Sequence, residues 1–64
     1  MSPVRVGQLR RWHVGDDLIS PFLVVGVHRE NEITYVEFLE EDRRYCFRAD
    51  EIAILSELLS EEGV

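Results

Sequence analysis

The sequence predicts a mainly β fold in which consecutive strands pair antiparallel. Four short segments are rich in β-branched and aromatic residues, namely QLRRWHV, FLVVGVHR, ITYVEFLE and RYCFR. Between them lie glycines, a Ser-Pro pair and the polar turns RENE and EEDR. Apolar segments of this length, bounded by such turn residues, are typical of strands joined by tight connections.

Length and composition favour one folded domain over residues 1–64. A chain of 64 residues buries only about 60% of its unfolded surface, which leaves no room for a deep active-site cleft. Its hydrophobic content of 45% is too high for a disordered tail, and 31% charged residues is ordinary for a water-exposed surface. We therefore expect a small compact domain.

The first tight turn, Asn31-Glu32, fixes the expected register of one hairpin. A two-residue connection there places Val27 opposite Val36 and Val25 opposite Phe38. Paired residues on neighbouring strands point to the same side of a sheet, so these four side chains should be buried together.

A second two-residue turn, Glu41-Asp42, extends the same buried side to the next strand. It faces Phe38 with Tyr45 and Val36 with Phe47. Both hairpins therefore bury one common set of residues. That set is Leu23, Val25, Val27, Val36, Phe38, Tyr45 and Phe47.

The opposite side of these strands has a mixed composition. It carries Phe22, Val24, His28, Tyr35, Glu37, Leu39, Arg44, Cys46 and Arg48. Val24 is expected opposite Leu39, Tyr35 beside His28 and Arg48, and Cys46 beside Glu37. Contiguous apolar patches of several hundred Å² are rarely left in water. This side therefore needs either a cover from the same chain or a partner.

The C-terminal stretch RADEIAILSELLSEEG fits two structures. As a helix, it would begin at a capping Asp50, end at Gly63 and lay its leucines over the mixed side. As a strand, residues 54–59 would follow a short 3₁₀ turn at residues 50–53. Helix propensity favours the first structure, whereas the order of the elements favours the second.

The order of elements resembles that of small SH3-like barrels. The opening VRVGQLRRW, the two tight hairpins and the ending RADEIAILSELL carry the resemblance, which covers roughly residues 4–60. It implies a five-stranded, partly open antiparallel barrel with a short 3₁₀ turn near residues 50–53. Barrels of this kind bind peptides, RNA or other subunits, and the resemblance assigns no functional residue.

Chemistry-bearing side chains are few. Cys46 is the one cysteine, so neither an intramolecular disulfide nor a multi-cysteine zinc site can form. The expected register separates Cys46 from His28 by a strand and sets it beside Glu37, which would raise the thiol pKa. His13 and the pair Asp16-Asp17 have metal-donor atoms, but a polar loop explains them equally well. We expect no enzyme, no metal and no cofactor.

The same composition predicts the cellular location of the protein. Small secreted domains usually rely on disulfides, so a lone cysteine favours the cytoplasm. The N-terminal MSPVRVGQLRRW lacks the apolar core of a signal peptide, and no apolar run approaches the roughly 20 residues of a membrane span. All seven basic residues are arginine, which suggests a GC-rich bacterial or phage genome.

The charge distribution disfavours nucleic acid as a partner. The formal net charge is −6. Residues 1–29 hold four Arg against two Asp, whereas residues 30–64 hold three Arg against eleven acidic residues. A duplex-binding surface is usually broadly basic, and this field repels phosphate.

The stretch RRWH, residues 10–13, is the most suggestive motif for binding. A Trp between guanidinium groups can stack on a base or grip a peptide. Equally, Trp12 can plug one end of the barrel while Arg10 and Arg11 stay in water. The sequence leaves both roles for Trp12 open.

Two functional hypotheses follow. The first is a protein-interaction module that self-associates or docks onto a larger assembly. The second is a single-stranded RNA or DNA binder that uses Trp12 and nearby arginines. We favour the first. The residues expected at the partner surface are Trp12, Arg10, Arg11, Tyr35, Leu39, Arg44, Cys46 and Arg48.

Overall fold

The computed structural model describes residues 4–13 and 21–61. Its elements are β1 (Gln8–Trp12), β2 (Phe22–Glu30), β3 (Ile33–Glu40), β4 (Arg43–Arg48), α1 (Ala49–Leu55) and β5 (Ser56–Glu61). The strands form one antiparallel sheet in the order β4-β3-β2-β1-β5. Because β4 and β5 do not pair with each other, the sheet is open, which is consistent with a small open barrel-like fold. The prediction of a mainly β, five-stranded antiparallel fold is confirmed, and the likeness to SH3-like barrels stays a prediction.

Both predicted hairpin turns are present at the predicted residues. The backbone φ angles are 51° at Asn31, 66° at Glu32, 49° at Glu41 and 68° at Asp42. Two successive positive φ angles are the mark of a type I′ turn, whose twist matches that of the flanking strands. The turns therefore form although neither contains the glycine that such turns prefer.

Most of the predicted register is confirmed. Val27 lies opposite Val36, which in turn lies opposite Phe47. Phe38 lies opposite Tyr45. The predicted pairing of Val25 with Phe38 is wrong, because the partner of Phe38 on β2 is Val24.

A β-bulge at Val25 causes this difference. Val24 pairs with Phe38 and Gly26 pairs with Glu37, so Val25 is an extra residue without a partner on β3. The bulge reverses the side to which the first residues of β2 point. Leu23, and not Val24 as predicted, therefore lies opposite Leu39.

The core consequently differs from the predicted set in β2. Its buried apolar residues are Val4, Phe22, Val24, Val36, Phe38 and Ile52. The predicted inclusion of Leu23 and Val25 is wrong, because the bulge turns Phe22 and Val24 inward instead. Three other predicted members, Val27, Tyr45 and Phe47, share the core side but remain 36–41% exposed.

The C-terminal stretch forms both a helix and a strand. Where we expected a 3₁₀ turn at residues 50–53, the structure has the seven-residue α-helix α1, which buries Ile52. Asp50 is not the N-cap, because the helix begins after Arg48 and Asp50 lies in its first turn. The predicted end at Gly63 lies outside the described residues. The helix α1 ends at Leu55, and the C-cap residue Ser56 donates from its amide and its hydroxyl to the Ile52 carbonyl. A last strand is confirmed, since β5 pairs with β1, but it spans Ser56–Glu61 and not the predicted residues 54–59.

The exposed fraction of an aromatic side chain predicts how far its removal lowers the free energy of unfolding. Phe38 is 2% exposed, so Phe38→Ala should lower the free energy of unfolding by about 3–5 kcal/mol. Phe47→Ala removes the same ring from a residue 41% exposed and should have a markedly smaller effect. Urea denaturation of both variants measures the difference, and equal losses would contradict the assigned core.

Candidate interaction surface

The side of the sheet opposite the core, here called the outer face, gathers six of the predicted partner-surface residues, five on β3 and β4 and Arg11 on β1. Register places Tyr35 opposite Arg48, Leu39 opposite Arg44, and Cys46 opposite Glu37. Each of these residues alternates along its strand with one on the core side, so all point outward. The pairs that the sequence predicted between β3 and β4 on this face are confirmed.

A row of three leucines crosses the outer face. Leu9 on β1 pairs with Leu23 on β2, and Leu23 pairs with Leu39 on β3. Leu23 and Leu39 are each 38% exposed, and Leu9 is half-buried. The sequence analysis missed Leu9 and Leu23 as surface residues. The segment FLVV is apolar at every position, but Gly26, a glycine inside the strand directly after Val25, is a signal that could have indicated the bulge.

Charged and aromatic groups lie beside this leucine row. The carboxylate of Glu37 lies 3.9 Å from Nδ1 of His28 and 3.7 Å from Nε of Arg44. The rings of His28 and Tyr35 stack with their centroids 5.5 Å apart. At the end of β4, Arg48 forms a 2.9 Å ion pair with Asp50. The outer face thus combines an apolar row with a polar side made by β2, β3 and β4.

The C-terminal segment does not lie over the leucine row. The predicted alternative was a C-terminal helix laid over the outer face, but residues 56–61 form strand β5 beside β1. The leucines that such a helix would have placed over the outer face are instead partly exposed, Leu55 at 38%, Leu58 at 44% and Leu59 at 42%. The short α1 instead packs Ile52 into the core on the other side.

Trp12 lies on the core side, not on the outer face. Its ring centroid is 4.7 Å from that of Phe22, 5.7 Å from Phe38 and 5.8 Å from Phe47. Its indole Nε1 donates a 3.1 Å hydrogen bond to Glu40. Trp12 is only half-buried, so its ring lies at the edge of the aromatic core with part of its surface in water.

Arg10 is buried on the same side as Trp12, with 6% of its surface exposed. Its Nε and Nη2 donate to the hydroxyl and carbonyl oxygens of Ser56, at 2.8 and 3.2 Å. Its Nη1 donates to Oε1 of Gln8 at 2.9 Å, and Nε2 of Gln8 donates to Glu61 at 3.3 Å. Burial lowers the pKa of Arg10 below its ordinary value, but a guanidinium stays charged. Arg10 therefore ties β1 to β5 and turns its donors inward.

Arg11 points to the outer face and pairs with Glu57. Its Nη2 lies 2.6 Å and its Nε 3.2 Å from Oε1 of Glu57. The hydrogen bond and the charge of Arg11 lower the pKa of Glu57 below its ordinary value. The pair is therefore fully formed above the ordinary glutamate pKa and is lost only as the pH falls through the lower, folded-state value.

The remaining polar candidates show no common site. Cys46 is exposed on the edge strand β4. The ring Nε2 of His13 lies 2.9 Å from the Ile54 carbonyl, and its suggested companions Asp16 and Asp17 lie outside the described residues. Within residues 4–13 and 21–61, no cluster of three or more metal-binding side chains occurs, and no helix is long and apolar enough to span a membrane.

Comparison of the chain with protein-family models, curated proteins and solved structures finds no match.

The buried position of Arg10 predicts a difference between two neighbouring arginines. Arg10→Ala removes the partner of Gln8 Oε1 and of both Ser56 oxygens, which should lower the free energy of unfolding by about 1–3 kcal/mol. Arg11→Ala breaks only an exposed ion pair and should leave stability almost unchanged. Thermal unfolding followed by circular dichroism compares the two, and equal stability of both variants would refute the role of Arg10 in the fold.

The ring contacts of Trp12 predict that it stabilises the fold. Trp12→Ala should lower the free energy of unfolding by about 3 kcal/mol, whereas Trp12→Phe keeps an aromatic ring and should lower it less. The melting temperature of each variant is the measurement. An unchanged melting temperature for Trp12→Ala would return Trp12 to the candidate binding residues.

Proposed function

We propose that this chain is a non-enzymatic protein-interaction module that self-associates or docks onto a larger assembly through its outer face. The observation that carries the proposal is the row Leu9, Leu23 and Leu39, in which Leu23 and Leu39 each keep 38% of their surface exposed. An apolar row that continues across three strands needs a partner more than scattered surface leucines do.

The surroundings of the row suit a protein interface. Its apolar centre is bordered by Glu37 and Arg44 on one side and by the Arg11–Glu57 pair on the other. An apolar centre with a polar rim is the usual composition of a modest interface.

The gain from this surface is limited. Leu23 and Leu39 are already largely covered by their neighbours, so burying the remaining 38% of each contributes roughly 1 kcal/mol or less per residue. Binding must also offset lost rotational and translational freedom. The outer face alone therefore supports a weak, reversible complex.

The alternative of a single-stranded RNA or DNA binder has less support. It relied on Trp12 with nearby arginines, but Arg10 directs its donors to Gln8 and Ser56, and Arg11 pairs with Glu57. The net charge of −6 opposes phosphate binding as well.

Leu39→Arg tests the proposal. In high salt, which screens contacts between charges, we expect light scattering to show a mass that rises with concentration for the wild type and stays close to that of one chain for Leu39→Arg. Ile54→Arg is the matched control, since it adds the same charge at a residue of α1 that is 71% exposed, and it should behave as the wild type. Apolar association of this kind should change little with added salt.

Two results would count against this proposal. A wild type that stays monomeric at every concentration would exclude self-association and leave docking onto another protein. A Leu39→Arg variant that associates as the wild type does would remove the outer face from the interface.

A further inference from the structure

The open sheet has two edge strands of different character. β4 pairs only with β3, and β5 pairs only with β1. All six residues of β4 are exposed. In the part of the chain that the structure describes, no strand pairs with the outward side of either edge. Such edges present main-chain donors and acceptors that can pair with another strand.

The two edges carry opposite charges. β4, with the sequence RRYCFR, contains three Arg and no acidic residue. β5, with the sequence SELLSE, contains two Glu and no basic residue. Two β4 edges would set like charges against each other, and so would two β5 edges, although Arg44, Arg48, Glu57 and Glu61 each have an ion-pair partner within the chain. The charges favour one β4 edge against one β5 edge.

The two edges also present compatible side chains on the core side of the sheet. On the core side, β4 presents Tyr45 and Phe47, opposite Phe38 and Val36. On the same side, β5 presents Leu58, opposite the buried Arg10. These three apolar side chains are 36–44% exposed. A sheet continued from β4 into a second β5 would bring them together.

On the outer face the match is between charges. β4 presents Arg44 and Arg48 there, and β5 presents Glu57, which pairs with Arg11 across β1. Both Arg11 donors go to Oε1 of Glu57, and no described residue bonds its Oε2. That oxygen can accept a bond from an arginine of another molecule.

Within one chain the two edges are kept apart. α1 connects the end of β4 directly to the start of β5, and no ladder forms between them. A second copy has no such constraint, because its β5 can approach β4 from outside. Both complementary edges exist in every copy, so the second copy is the partner that supplies the matching charges.

We propose that β4 of one copy pairs with β5 of another, so that copies assemble head to tail. This contact is heterologous, so each copy joins two others, and the assembly either closes into a ring or grows as a filament. The inference goes beyond the proposed function by using the edges of the sheet, and it does not depend on the leucine row.

Charge reversal at one edge provides the first test. Arg44→Glu and Glu57→Arg each place like charges at the contact and should weaken self-association by about tenfold or more in low salt. Arg29→Glu and Glu51→Arg are matched controls at exposed residues of β2 and α1, and they should associate as the wild type does. Light scattering over a concentration series measures all four variants, and circular dichroism confirms that they are folded.

Restoring the charge pair provides the second test. A chain that carries both Arg44→Glu and Glu57→Arg should associate again, as should an equimolar mixture of the two single variants. Hydrogen exchange should show slower exchange of β4 and β5 amides on association, because edge pairing gives those amides partners. Added salt should weaken this assembly.

The results separate this inference from the proposed function. Edge assembly should persist in Leu39→Arg, whereas association through the outer face should not. A wild type that remains monomeric in low salt would overturn head-to-tail pairing. So would single edge variants that associate as the wild type does, or β4 amides whose exchange is unchanged on association.

Discussion

One extra residue in β2, Val25, determines which side chains enter the core. The bulge at Val25 turns Phe22 and Val24 inward and Leu23 outward. Phe22 then contacts the rings of both Trp12 and Phe38, at 4.7 and 4.5 Å. Without the bulge, Phe22 would point to the outer face and the aromatic core would lose one of its rings. The same reversal creates the leucine row, so the core and the candidate interface depend on one backbone irregularity.

The contrast between the hairpins and the bulge shows what local sequence can specify. The facing of the hairpins was predictable because only even-numbered loops bring apolar residues to the same side on both strands, although loops that differ by two residues do so equally. Turn residues confirm this at Asn31 and Asp42, which adopt positive φ without help from glycine. The bulge was harder to predict: Gly26 marks a possible irregularity in the strand, but FLVV is apolar at every position and either orientation buries two large side chains. Only the packing of Trp12 against Phe22, across the sheet, separates the two.

The candidate binding residues likewise include some whose positions follow from local sequence and some whose positions depend on distant contacts. Arg10 and Arg11 are the same residue type at adjacent positions, and strand alternation alone places them on opposite faces. Which of them is buried depends on Ser56, whose hydroxyl and carbonyl accept from Arg10 across 46 residues of sequence. No local pattern contains that contact. Tyr35, Leu39 and Arg44 were placed correctly because their positions follow from hairpin register alone.

The C-terminal segment connects the size of the chain to its open surfaces. A chain this short can cover one side of a five-stranded sheet but not both. Had residues 49–61 formed one helix, they could have covered the leucine row. Instead, α1 adds only Ile52 to the core, and β5 extends the sheet beside β1. Extending the sheet gives Arg10 its partners in Ser56, and it leaves both the outer face and a second charged edge uncovered. The uncovered outer face and the second edge therefore result from the same strand, β5, whose Ser56 accepts the hydrogen bonds of the buried Arg10.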